Sequence, residues 1–178
     1  MPLTSIPIDD FIARSYSIWV HNWFLLSSGD FGVGHYNAMT VSWGALGCMW
    51  GRPFAQVVVR PHRYTFELIE AYPDFTLCAF PREQRKALNL LGTKSGRDGD
   101  KIAESGLTVQ AASRVAAPIY AEAELVLECR KMYWQDIDPA HFIAPELDAN
   151  YPMKDYHRIY YGEIIAVSGT PAYLAPAG

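Results

Sequence analysis

The chain has 178 residues, half of them hydrophobic and 19% charged, a balance that excludes a disordered polypeptide and supplies a sizeable core. Its formal net charge of −4 speaks against a broad nucleic-acid-binding surface, while leaving room for a local basic pocket. Aromatic residues make up 13%, enough for a rigid core and equally suited to a flat, conjugated ligand.

The first ten residues, MPLTSIPIDD, carry no basic region followed by an apolar run, so no secretion leader is expected. Ile8 to Ser17 reads as a short opening helix, with Asp9 and Asp10 in the first turn where the dipole favours negative charge. Ile18 to Leu26 is interrupted by His21 and Asn22 and is too short to span a bilayer, so no membrane partner is expected. Trp23 to Ser28 reads as a strand ended by the turn-like Ser28-Gly29-Asp30. Ala38 to Trp50 and Pro53 to Arg60 read as two longer strands joined at Gly51-Arg52-Pro53.

Arg63 to Tyr72 is helical in character, with Phe66, Ile69 and Tyr72 on one stripe. Asp74 to Phe80 returns as a strand, Arg82 to Leu91 as a second helix ended by Gly92, and Asp98 to Ser105 as a short third helix. From Ala121 to Arg130 the odd positions are apolar while Glu122, Glu124, Glu128 and Arg130 alternate with them, which predicts a strand with one wet face. Tyr160 to Val167 supplies another, more buried strand. No repeat or linker divides the chain, so a single domain over residues 1–178 is expected. Six or seven strands with few helices predict a mainly β fold, an antiparallel barrel with helices packed outside.

Several chemistries are excluded cheaply. The nearest approach to a nucleophile elbow, Thr40-Val41-Ser42-Trp43-Gly44, lacks its first glycine. His21, His35, His62, His141 and His157 form no HExxH or close pair, so no metal site is expected. Gly92-Thr93-Lys94-Ser95-Gly96 misses the Walker spacing, and Gly29 to Gly34 fails the dinucleotide fingerprint. Cys48, Cys78 and Cys129 are too scattered for a disulfide framework; each reads as a buried small residue in a reducing, cytoplasmic setting.

Three segments combine cations and hydroxyls. In Asn37-Ala38-Met39-Thr40-Val41-Ser42-Trp43, a strand would place Ala38, Thr40 and Ser42 on one face with little bulk, open to a ligand or simply half-exposed. Arg60-Pro61-His62-Arg63-Tyr64-Thr65 lies where a strand ends and a helix begins, a setting that suits an anion. Lys94-Ser95-Gly96-Arg97-Asp98-Gly99-Asp100-Lys101 reads either as a phosphate nest or as a solvated loop, since Asp98 and Asp100 offset part of its charge.

Taken in order, NAMTVSWGALGCMWGRP, VRPHRYTFELIE, DFTLCAFP, LGTKSGRDGDK, GLT and DYHRIYYGEI closely resemble the flavin reductase-like family, over about Trp23 to Val167. The resemblance implies the FMN-binding split β-barrel, with flavin in a groove at a homodimer interface. It implies a flavin ring resting on Asn37 to Trp43, where backbone groups and the Thr40 and Ser42 hydroxyls meet it. Met39 and Trp43 would cover the dimer-facing side, with plain core packing an equal alternative for Trp43. Arg60, Arg63 and Thr65 match the family's phosphate-side arginine–threonine motif. Lys94, Ser95, Gly96, Arg97 and Lys101 match the loop that closes on the phosphate and ring edge, Lys94 at a variable place. His157 matches a histidine near the flavin in relatives and is the one catalytic candidate, the alternative being a satisfied loop histidine; His141 reads as a helix-surface residue.

The function implied is a flavin reductase that passes hydride from NAD(P)H, bound transiently, to FMN, with FAD as the alternative flavin. Lys101 or Arg97 would place a cation near the N1–C2 edge to stabilise reduced flavin. The competing expectation is a flavoredoxin-like electron carrier without substantial NAD(P)H turnover. A monooxygenase or another redox protein is the expected partner.

Overall fold

The computed structural model describes residues 2–176. Strand β1 (Thr4–Ile6) is followed by β2 (Phe24–Asp30), β3 (His35–Val41), β4 (Gly44–Met49) and β5 (Arg52–Val59), then by helix α1 (Tyr64–Ala71) and β6 (Asp74–Ala79). Helices α2 (Arg85–Thr93) and α3 (Lys101–Ser105) precede the short β7 (Val109–Gln110) and β8 (Ile119–Tyr120), and the long strands β9 (Leu125–Asp136) and β10 (Arg158–Gly169) complete the sheet. Its order is β3-β2-β6-β9-β10-β5-β4, with β1 on the far end of β10 and β7 paired with β8 apart from it. Every pairing is antiparallel, so the mainly β expectation with few helices holds.

Two cores flank the central strands. Phe24, Leu26, Leu77 and Leu127 enter the core shared with Val57, Phe75 and Tyr160. Their neighbours Leu25, Cys78 and Val126 point the other way, to Leu88 and Leu91 of α2 and to Tyr120. Alternation in a strand sends successive side chains to opposite faces, and here both faces are covered. That corrects the expected wet face after Ala121. The strand starts only at Leu125, and Glu128 is buried, accepting from Ser113 N at 3.0 Å, Ser113 Oγ at 2.7 Å and Arg114 N at 2.6 Å.

Other boundaries move for local reasons. The expected opening helix is a 3-10 turn at Ile8–Asp10 and a separate π-type turn at Ile18–Asn22, because the chain between them is drawn to Tyr173 and Leu174. β2 runs through Gly29 to Asp30 rather than turning there; Gly29 has φ 120°, and a Cβ would meet the His35 carbonyl at 2.3 Å. Ala38 to Trp50 is not one strand: Ser42-Trp43 break it, and the β4–β5 turn uses positive φ at Trp50 and Gly51. The buried face of α1 is Thr65, Leu68 and Ile69. Gly92 lies inside α2, where a Cβ would crowd Thr40 at 3.2 Å. Cys78 and Cys129 are buried as expected, but Cys48 is exposed on edge strand β4.

The third helix is shorter than expected. A 3-10 turn at Gly96–Asp98 is separated from α3 by Gly99, and the Asp100 carboxylate accepts from Ala103 N at 3.0 Å to start α3. Asp100→Ala should therefore cost about 1 kcal/mol in urea unfolding.

Candidate functional site

β3 ends at Val41, and the Ser42-Trp43 break borders the same groove as Val58 of β5 and Arg60 just beyond it. That groove, of about 230 Å³, is lined from Met39 to Trp43 and by Arg60 and His157. An adjoining cavity of about 310 Å³ shares Met39, Arg60 and His157 and adds His62 and Arg63. A third, of about 330 Å³, lies beyond the start of β3 and includes Asn37, Tyr64, Gly96 and Lys101. The groove and its adjoining cavity together reach the size of a small-molecule site, which the groove alone does not.

The expected site residues differ in burial and in the contacts they make. Met39 is buried in the main core and touches both parts of the groove. Trp43 is 47% exposed, which removes plain core packing as its explanation, and its ring lies 5.3 Å from that of His157. Ser42 lines the groove, whereas the Thr40 hydroxyl donates to the Leu88 carbonyl at 2.6 Å, leaving its oxygen only as an acceptor. Asn37 donates to the Thr65 hydroxyl at 2.8 Å, and both residues are buried. Gly96 packs directly against this pair: a Cβ there would meet Asn37 Oδ1 at 2.5 Å and the Tyr64 ring at 2.8 Å.

The cations divide sharply. Arg60 is bound by Asp155 through both carboxylate oxygens at 2.9 Å, by the Asn150 carbonyl at 2.8 Å, and by the face of Tyr151 at 5.0 Å. His62 Nδ1 lies 2.9 Å from the same carboxylate. Arg97 pairs with Glu67, donates to the His62 carbonyl at 3.0 Å and covers Tyr64. Lys94 pairs with Glu104 at 2.6 Å on the surface, and Ser95 accepts from Arg97 N at 3.2 Å. These contacts hold the loop's shape.

Arg63 and Lys101 differ, because among the described residues neither has a carboxylate partner. Arg63 donates to the Gly92 carbonyl. Lys101, only 3% exposed, donates to the Leu91 and Lys94 carbonyls at 2.9 and 3.0 Å, capping the end of α2. Burial and then the Arg63 charge push Lys101 down to about 8, and Arg63 is lowered by burial and by Arg60. His157 is pushed down to about 4 by burial first and Arg60 second, so it is neutral near pH 7.

Sequence reasoning missed Asn150 and Tyr151, which with Asp155 form a strap that engages Arg60. The dense aromatics Phe142, Tyr151 and Tyr156 were its one signal, a cluster without strand or helix period. Among the described residues no cluster of metal-ligating side chains occurs, and no helix is long and apolar enough to cross a membrane.

A family model, the flavin reductase like domain, matches residues 21–175, and the chain therefore belongs to that family. Its solved structural relatives share the split-barrel fold. An FMN-binding domain of a flavin reductases-like enzyme from Shewanella baltica OS155 has a TM-score of 0.69 at 18% identity, covering 98% of this chain and 85% of that one. The flavoredoxin of Desulfovibrio vulgaris (Miyazaki F) gives 0.66 at 21% identity, covering 93% and 78%. The NADH:FAD oxidoreductase of Streptomyces globisporus C-1027 gives 0.65 at 18% identity, covering 85% and 77%. No curated protein matches the sequence.

Proposed function

We propose that this protein is an FMN-binding flavin reductase that transfers hydride from NAD(P)H to flavin. The observation that carries the reading is the pair Arg63 and Lys101, two cations held by carbonyls alone and lacking a carboxylate among the described residues. Cations left uncompensated in partly desolvated places favour an anion, and a phosphate monoester has the charge and acceptor oxygens they need. FMN therefore fits better than riboflavin, with FAD as the alternative.

When bound, the flavin supplies the hydride-accepting ring. Around it the chain's own residues orient and shield: Met39, Ser42 and Trp43 shape the ring's seat, with the Asn37–Thr65 pair beneath Gly96 keeping the adjoining loop in place. Arg63 and Lys101 hold the phosphate side; Arg60, Lys94, Ser95 and Arg97 support them by fixing the surrounding loops. His157 faces the reacting side as a neutral group, and the open groove admits the nicotinamide transiently.

We place these roles in one domain with its core over about 23–167. The exposed Trp43, Trp50 and Trp134 favour a homodimer that covers them, and the three free cysteines suit a reducing cytoplasm. Reduced flavin would pass to a monooxygenase or another redox protein.

The fold lies as near to a flavoredoxin as to an NADH:FAD oxidoreductase, which supports a second reading as an FMN electron carrier. Purified protein should oxidise NADH or NADPH when FMN is added, with the faster nucleotide naming the donor. Tight FMN retention with negligible oxidation of either nucleotide would select the carrier, and absence of flavin binding would end both readings.

A further inference from the structure

Tyr151 stands in the strap rather than in the sheet, yet it is only 3% exposed. Phe142 stacks at 6.2 Å, Tyr156 lies at 4.8 Å, and the Arg60 guanidinium sits 5.0 Å from the ring centroid. The ring cannot swing freely among these neighbours. Its hydroxyl has a single partner among the described residues, His157 Nδ1 at 2.9 Å.

That contact couples the phenol proton to the imidazole tautomer. Burial, the foremost cause, raises the Tyr151 pKa, so the phenol keeps its hydrogen at neutral pH. A neutral imidazole carries hydrogen on one nitrogen and a lone pair on the other. With the phenol donating to the Nδ1 lone pair, the imidazole proton must reside on Nε2. His157 lines both parts of the groove beside Trp43, and its Nε2 has no partner among the described residues. The opposite tautomer would present a bare lone pair there and repel a carbonyl oxygen.

We propose that Tyr151 is a positioning residue whose hydroxyl holds His157 as the Nε2–H tautomer, giving the groove one neutral donor for a carbonyl or carboxamide oxygen of a planar ring ligand. The inference rests on the flavin reading for the identity of that ring, though not for the tautomer. Two ligands offer such an oxygen, the flavin ring and the nicotinamide carboxamide, and binding data separate them.

The test uses the full chain. Long-range proton–nitrogen NMR on the ligand-free protein should show His157 protonated at Nε2 alone, and Tyr151→Phe should abolish that single-tautomer pattern while preserving the fold and the aromatic stack. Loss of the directed donor should weaken one ligand by roughly 2- to 10-fold. A raised Kd for FMN in Tyr151→Phe identifies the flavin carbonyl, while a raised KM for NADH at saturating FMN identifies the carboxamide. His157→Gln keeps a neutral N–H at the reach of Nε2; it should retain most of the affected binding, and adding Tyr151→Phe to it should change nothing further. A proton on Nδ1, or Tyr151→Phe leaving the NMR pattern and both constants unchanged, would overturn the proposal. Failure of the wild-type protein to bind FMN would instead overturn the flavin reading and with it the ring ligand, while the tautomer remains readable without any ligand.

Discussion

Arg63→Ala should weaken FMN binding by roughly ten- to hundredfold while changing riboflavin binding little. One charge-assisted hydrogen bond is worth about 1.5–3 kcal/mol, and riboflavin has no phosphate with which to make it. Arg63 suits this role because it stands at the N-cap position of α1 and lines the cavity beside Arg60 and His62, its side chain held among the described residues by the Gly92 carbonyl alone. Fluorescence titration with the two flavins makes the comparison directly. Equal weakening of both flavins would show that Arg63 serves only to tie α1 to the end of α2, and the phosphate assignment would fall.

FMN affinity should fall as pH rises above about 8, and Lys101 supplies the reason. In the ligand-free protein its pKa is near 8, held down by burial and by Arg63. A bound dianion raises that pKa, so the complex carries more protons than the free protein between the two values. Binding is then strongest below the free-protein pKa and is lost by at most about tenfold per pH unit above it. On the acid side, the second phosphate ionisation near pH ~6 limits the dianion. An optimum between about pH 6 and 8, with proton uptake at its alkaline edge, is the expected calorimetric signature. Lys101→Met should remove the alkaline decline and lower FMN affinity at pH 7 by at least tenfold, as loss of a buried charge-assisted contact predicts. An unchanged alkaline limb in this variant would remove Lys101 from the phosphate.

The fold was legible wherever apolar pattern alone decides it. β5, β6, α1 and β10 stand within one or two residues of expectation along their shared lengths, because Val57, Leu77, Ile69 and Tyr160 have no alternative to burial. The alternation after Ala121 misled because Glu128 looks solvated until the 113–114 backbone is seen to donate to it. A carboxylate satisfied by distant amide groups leaves no local signal. The candidate site divided along the same line. Met39, Arg63 and His157 line one cavity and Lys101 another, whereas Arg97 and Lys94 are paired with Glu67 and Glu104. Charge partners set by tertiary packing cannot be read from a loop's own composition. Tyr151 was hidden for the converse reason: its importance comes from what lies over it.

Strand β10 joins what would otherwise be two separate ribbons. β4 with β5 lies on one side of it, β3-β2-β6-β9 on the other, and β1 is reached across a separation of 165 residues at the Thr4–Gly169 contact. During vectorial synthesis, β10 is the last of these strands to leave the ribosome. Until then β5 and β9 each present a long edge of unpaired backbone groups, and the seam cannot close however early the rest has collapsed. A chain truncated near residue 157 should therefore expose two half-sheets with unpaired edges and aggregate far more readily than the full chain.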